Sequence, residues 1–226
     1  MKSLVIGGTR FMGKHLVSAL LANKHDVTIA TRGATPDNFG DSVKRVMVER
    51  TDSISMKTVL SKNHYDVIFD SLAYCSNDIK NVLDFAKCEK YIFISTTAVY
   101  DKHIDSKEED FNPLLKPLIW CGRTDFQYEE IKRQAECAAV QEYPHIKHIA
   151  VRYPFVIGAD DYTKRLYFYV AHIINEKPMF IDNFKSQMSF VRSDEAGLFL
   201  EFLVFNRANS TKYLLSGNRT LPVFSR

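Results

Sequence analysis

The chain has 226 residues, 46% of them hydrophobic and 25% charged, enough to bury a sizeable core as one large domain or one domain with a small appendage. Thirty Lys and Arg residues face 27 acidic ones, and a net charge of +3 without a dense basic run provides no track for a nucleic-acid backbone. Four scattered cysteines lack any C-x-x-C pair, no apolar run is long enough to span a bilayer, and no charged leader precedes an apolar stretch. The expectation is a cytoplasmic protein with reduced thiols, no metal site and no membrane partner.

In chain order, short apolar runs predict strands at Ser3–Gly7, Asp26–Ala30, Val43–Val48, Asp66–Ser71, Tyr91–Ser95 and His148–Arg152. Helical periods fill the gaps. "GKHLVSALLANKH" puts Leu16, Val17, Leu20 and Leu21 on one face, "SNDIKNVLDFAK" opens with Ser76 as a candidate N-cap, and "DFQYEEIKRQAECAAVQEY" is long and amphipathic. Six strands joined by helical crossovers make an α/β fold with a doubly wound parallel sheet.

Two segments break that rhythm. Between Ala98 and Asp125 the chain carries a run of acids, two prolines and its one Trp, which reads as an excursion over the carboxyl edge of the sheet, where such sheets bind ligands. The acid run from Asp105 to Asp110 reads as a solvated loop. After Arg152, helix-like "DYTKRLYFYVAHIIN" and "SDEAGLFLEFLVFN" flank apolar pieces around Met179 and Phe190, as in a small α/β appendage. Its helix-spaced aromatics, Phe168 among them, read as core packing. The expected division is a dinucleotide-binding domain over 1–155 and a short substrate-binding part over 156–226, forming one structural unit.

"VIGGTRFMGKHL", Val5 to Leu16, overlaps two nucleotide signatures at the end of the first strand. From Gly8 it resembles a phosphate loop, G-x-x-x-x-G-K-H, with Asp70 as an acidic magnesium partner. His15 then stands where a hydroxyl should ligate the ion, and imidazole is a poor ligand for that hard cation. From Gly7 it is a dinucleotide loop: Gly7 makes the tight turn, Gly13 allows close helix–strand packing, and the helix N-terminus meets the pyrophosphate. The second strand ends in "ATRG", so Arg32 stands where an NAD site usually places an acid. A guanidinium there pairs with a 2′-phosphate, and Arg10 from the loop would converge on the same group. NADP is therefore the expected cofactor, with NAD as the alternative.

Tyr128 and Lys132, four apart on the long helix, share one face after the strand end "ISTTAVY". Tyrosine ordinarily titrates near ~10, and a neighbouring ammonium would pull it down into a useful acid–base range. Thr96 is the preferred hydroxyl partner, with Ser95 and Thr97 as alternatives. Tyr143 and Lys147 repeat the spacing, but Pro144 and the strand that follows make that match accidental.

Together these segments resemble the short-chain dehydrogenase/reductase superfamily and, more narrowly, its NAD(P)-dependent epimerase/dehydratase family of extended and atypical members. "GGTRFMG" resembles the loop of atypical members, some of them RNA-associated. "YEEIKRQAE" is similar to the Tyr/Lys helix, and "RYPFVIG" and "FVRSDEAG", with Asp194 opening a helix, resemble segments of the substrate region. The resemblance implies a Rossmann-like fold and hydride transfer on a small polar carbonyl, alcohol or nucleotide-sugar-like substrate. Thr96, Tyr128 and Lys132 would be catalytic. The cofactor would lie against Gly7, Thr9, Arg10, Phe11, Met12, Gly13, Arg32, Ser71, Leu72, Ala73, Lys132, Tyr153 and Pro154.

Departures from the family pattern are the long Thr96-to-Tyr128 spacing, the Ser71–Ala73 strip in place of an Asn-Ala-Gly turn, and Glu49 where relatives place Asp beside the adenine. Relatives commonly continue past the equivalent of Arg226, so a short substrate part is expected. A homodimer through the Tyr/Lys helix is implied by family habit. The rival class is a non-catalytic NADP-binding regulator, which the intact Tyr/Lys pair disfavours, or an RNA-associated protein, which the near-neutral charge disfavours.

Overall fold

The computed structural model describes residues 1–101, 105–181, 187–205, 212–215 and 220–222. Ten strands are present among them: β1 (Lys2–Ile6), β2 (Asp26–Thr31), β3 (Lys44–Met47), β4 (His64–Asp70), β5 (Lys87–Thr96), β6 (Lys147–Tyr153), β7 (Phe155–Ile157), β8 (Gln187–Arg192), β9 (Lys212–Leu215) and β10 (Thr220–Pro222). The helices are α1 (Phe11–Ala22), α2 (Ser53–Leu60), α3 (Ser76–Leu83), α4 (Tyr128–Glu142), α5 (Arg165–Ile174) and α6 (Ser193–Phe202).

The main sheet runs β3-β2-β1-β4-β5-β6-β9, all parallel, so the six predicted strands gain a seventh at the β6 edge. Period-two alternation sends Leu4 and Ile6 to one face and Val5 to the other, which is how a strand buried on both sides reads as an unbroken apolar run. On one face Leu16, Val17 and Leu20 of α1 meet Ala196 and Leu200 of α6; on the other lie Met56 and Leu60 of α2, Ile79 and Val82 of α3, and Ala135, Ala138 and Ala139 of α4. The strand order reverses between β1 and β4, and the crevice beyond their carboxyl ends is the ligand position of such sheets.

Two helical details differ from the sequence expectation. The helix α2 was not legible because its buried side chains are few, Met56 and Leu60 one turn apart; it is started instead by Asp52, whose carboxylate accepts from Ile54 N and Ser55 N. Ser76 is not the N-cap of α3, a place taken by Cys75. The Ser76 hydroxyl donates to Ile119 O (2.8 Å) and accepts from Cys121 N (2.7 Å), tying α3 to the excursion.

The excursion wraps α4. Gln134 donates to Pro117 O (3.3 Å) and accepts from Ile119 N (2.7 Å), while Gln141 donates to Pro113 O and Lys116 O at 2.6 and 2.7 Å. Nine of the fifteen residues of α4 are buried among the excursion, α3 and the sheet.

Beyond Pro154, β7 pairs parallel with β8 and β10 pairs antiparallel with β8 in a small second sheet. The helix α5 buries none of its residues, and Phe168 is 51% exposed, which corrects its expected place in the core. Apolar spacing alone does not say whether a partner surface exists. No helix among the described residues is long and apolar enough to cross a membrane.

Candidate active site

The glycine loop leaves β1 and opens α1. Gly7 holds φ at +100°, a region that L side chains rarely adopt, and its N–H donates to Ala30 O (3.0 Å). A Cβ on Gly13 would lie 2.9 Å from the backbone of Gly8, so helix and loop touch only because it is absent. Arg10 is the N-cap of α1 and makes no side-chain cap, which leaves the first-turn N–H groups without a side-chain acceptor. Ser71, whose Cβ is the nearest atom to a Cβ built on Gly7, has a buried Oγ without a hydrogen-bond partner. An anion-seeking helix end beside an orphaned hydroxyl fits the pyrophosphate of a dinucleotide.

The parts of a magnesium phosphate loop are engaged elsewhere. Lys14 Nζ lies 2.8 Å and His15 Nε2 3.3 Å from Asp160 Oδ2, both turned to the loop after β7. Burial would raise the Asp160 carboxyl, but Lys14 and the Ser193 hydroxyl outweigh it and hold the group below its ordinary value. Asp70, the supposed metal partner, is buried under Arg50 Nη2 (2.6 Å), the Tyr91 hydroxyl (2.8 Å) and Leu72 N (2.9 Å).

Arg10 is turned toward Tyr162, with its guanidinium 5.3 Å from the ring centroid, and Phe11 meets the same ring edge-on at 6.4 Å. Arg32 stands exposed just past β2. Tyr153 is buried and its hydroxyl donates to Ala196 O (2.6 Å), which commits the phenol to the packing of α6.

Thr96, the last residue of β5, and Tyr128, the first of α4, come together closely enough for the Thr96 side chain to act on the phenol. Thr96 Oγ1 also accepts from Ala98 N (3.2 Å). Ser95 is withdrawn, because its hydroxyl donates to the buried carboxylate of Glu136. Tyr128 is 47% exposed, yet burial of its phenol end pushes the hydroxyl above its ordinary pKa; Thr96 and Arg165 pull the other way, and Tyr74 adds to the rise. This runs against the expected downward pull from Lys132.

Lys132 is instead held below the turn after β4. Its ammonium donates to Ala73 O (2.7 Å) and Ile94 O (2.6 Å), and burial lowers it from 10.5 to about 8, opposed by Asp70, Glu136 and Asp78. Tyr74, which the sequence reading passed over, lies between two cations: Lys132 Nζ is 5.2 Å and the Arg123 guanidinium 4.8 Å from its ring centroid. Arg123 donates to Asp78 (3.0 Å) and Leu72 O (3.0 Å). The position of Tyr74 directly after the Ser71–Ala73 strip was a usable signal. Nothing in the sequence tied Arg123 to a strip some fifty residues earlier.

A glycine loop at the switch point of a parallel sheet, with a Thr/Tyr pair at the end of the next strand but one, is the arrangement of a Rossmann-type fold. Residues 3–87 match the model of the NAD dependent epimerase/dehydratase family. The chloroplast stem-loop binding protein of 41 kDa b of Arabidopsis thaliana is 30% identical over 115 residues, which is 45% of this chain and 30% of that protein. The 2′-dehydrokanamycin reductase of Streptomyces kanamyceticus is 23% identical over 98% of this chain and 63% of its own length. The chain thus spans less than two thirds of either relative. A UDP-glucose 4-epimerase from Thermotoga maritima, solved with UDP-glucose, shares the fold with a TM-score of 0.71 at 17% identity, over 99% of this chain and 79% of that one.

Proposed function

We propose that this protein is an NADP-dependent oxidoreductase or epimerase of the epimerase/dehydratase family, acting on a carbonyl or alcohol of a small polar, nucleotide-sugar-like molecule. The observation that carries this is the placement of Thr96 at the end of β5 beside Tyr128 at the start of α4, one helical turn before the buried ammonium of Lys132. NADP, when bound, supplies or accepts the hydride. Its pyrophosphate would be held by Gly7, Thr9, Phe11, Met12 and Gly13, its nicotinamide end by Lys132, Tyr153 and Pro154, and its length by Ser71, Leu72 and Ala73. Arg32 would take the 2′-phosphate, since an exposed guanidinium past β2 cannot accept from a ribose hydroxyl but donates well to a phosphate. Arg10, turned toward Tyr162, would guard the phosphate end of the loop.

The raised Tyr128 phenol is protonated at neutral pH, so it serves first as the acid that donates to a substrate carbonyl oxygen as reduction proceeds. Thr96 fixes that oxygen beside it. The short part after residue 155 would close the substrate side. Both the reductase and the epimerase relatives act, by name, on substrates with such groups.

Tyr128→Phe is the test, read with a panel of carbonyl substrates by NADPH oxidation. Turnover should fall by roughly 10²–10⁴-fold, the span of a lost general acid, with NADPH affinity unchanged. Loss of NADPH binding in this variant would overturn the role given to the phenol. RNA binding, suggested by the name of the stem-loop relative, predicts instead a complex that weakens steeply with salt.

A further inference from the structure

Behind the turn that receives Lys132 lies a buried polar group that neither the glycine loop nor the Thr96/Tyr128 pair uses. Asp70, at the end of β4, accepts three hydrogen bonds: Arg50 Nη2 (2.6 Å) and the Tyr91 hydroxyl (2.8 Å) on Oδ2, and Leu72 N (2.9 Å) on Oδ1. Arg50 reaches it from the segment after β3 and also donates to Asp78 O (2.7 Å). Both side chains of the pair are almost fully excluded from solvent, and Arg50 Nε and Nη1 are buried without a hydrogen-bond partner. A pair kept for stability alone would be a poor choice, because apolar residues of similar volume commonly do as well without leaving unsatisfied donors.

The arrangement is explained by what stands two and three residues further on. The Leu72 N–H on Asp70 fixes the turn, and the carbonyl of Ala73 in that turn holds the Lys132 ammonium. We propose that Asp70 is a positioning residue for Lys132: locked by Arg50 and Tyr91, it sets the Ser71–Ala73 turn that receives the ammonium and balances its charge from beneath. The functional part of this inference rests on the cofactor role proposed above for Lys132.

The charged and titratable groups around Lys132 come from every neighbouring element: Asp70 of β4, Asp78 of α3, Glu136 one turn along α4, Arg123 of the excursion, and Tyr74 above. Asp70 is the foremost of the acids that favour the charged lysine, and Arg123 opposes them. Neutralising Asp70 should therefore lower the pH at which Lys132 loses its proton, and the loss of the Arg50 cation along with it would act in the opposite sense.

The experiment is a carbon NMR titration of ε-labelled lysine in the full chain, with Lys132 identified by its absence in Lys132→Gln. Asp70→Asn alone strands a buried guanidinium and Arg50→Met alone strands a buried carboxylate, so the comparison is wild type against Arg50→Met/Asp70→Asn, in which the pair is removed together. Wild type should titrate near 8, and the double variant about one pH unit lower or more, as the loss of a close opposite charge dictates. Equal midpoints in the two proteins would overturn the proposal. NADPH affinity measured across the same pH range separates the two readings. A shifted lysine with no NADPH binding in any variant refutes the cofactor role and leaves the positioning intact, whereas normal binding with an unmoved lysine refutes the positioning.

Discussion

On the proposed reading, cofactor choice turns on Arg32. Since Arg10 is turned toward Tyr162, a single guanidinium remains past β2 for a 2′-phosphate. Arg32→Ala should weaken NADPH binding by roughly tenfold or more, in line with one charge-assisted contact, and leave NADH unaffected; equal affinities for both cofactors in the wild type would refute the preference. Lys132 predicts a pH dependence. Its folded value of about 8 lies below its ordinary 10.5, so the protonated form that can donate to a ribose is lost as pH rises through 8, and NADPH affinity should fall there. Stability should move the opposite way. The unfolded chain binds more protons than the folded one between about 8 and 10.5, so the lysine's own contribution to stability rises across that window. Paired titrations of affinity and denaturant midpoint would reveal both slopes. Thr96, Tyr128, Lys132 and Arg32 could be picked from sequence because each follows a strand or shares a helix face. Asp78, Arg123 and Arg50 could not, because their partners are far along the chain.

At the scale of elements, the glycine loop and the excursion make separate predictions. Gly13→Ala would force a methyl to within 2.9 Å of Gly8 and push α1 off the loop. A loss of about 1–3 kcal/mol is the usual cost of such overpacking, and calorimetry should find it together with weakened NADPH binding. Along α4, Gln134 bridges Pro117 O and Ile119 N, so Gln134→Leu leaves both excursion groups unpaired. Faster proteolysis of the 112–121 segment, with little change in the NADPH affinity of the rest, is the expected result. Helices with a strong apolar stripe were legible. The short α2 was not, since its start depends on the Asp52 cap and its packing on only two side chains.

For the whole molecule, the Arg152–Glu136 pair joins the sheet, α4 and the excursion. Both side chains are 0% exposed, with N···O at 2.6 Å, and Arg152 also donates to the Tyr100 hydroxyl (2.8 Å), Glu108 O (2.9 Å) and Phe111 O (3.1 Å). Breaking a buried pair strands a charge, so Glu136→Gln should cost about 3–5 kcal/mol, measurable by denaturant unfolding, and should loosen the excursion beside Tyr128. An unchanged midpoint would show that the hub is not what binds these three parts. The exposed apolar side of α5, by contrast, follows from no pattern in the sequence. Its spacing is that of a packed helix, and only the placement of the neighbouring elements leaves it open.

By itself the sequence determined the α/β alternation, a doubly wound parallel sheet of six strands, the glycine loop after the first of them and the Tyr/Lys helix. All of these are local, set by hydrophobic period, by backbone freedom at Gly7 and by residues one helical turn apart. Only the tertiary structure decided that Thr96 rather than Ser95 faces Tyr128, that Lys132 is fastened to the Ala73 and Ile94 carbonyls, and that Arg10 meets Tyr162. Those pairings depend on which buried donors and acceptors satisfy one another across the fold, a competition that no short stretch of sequence contains.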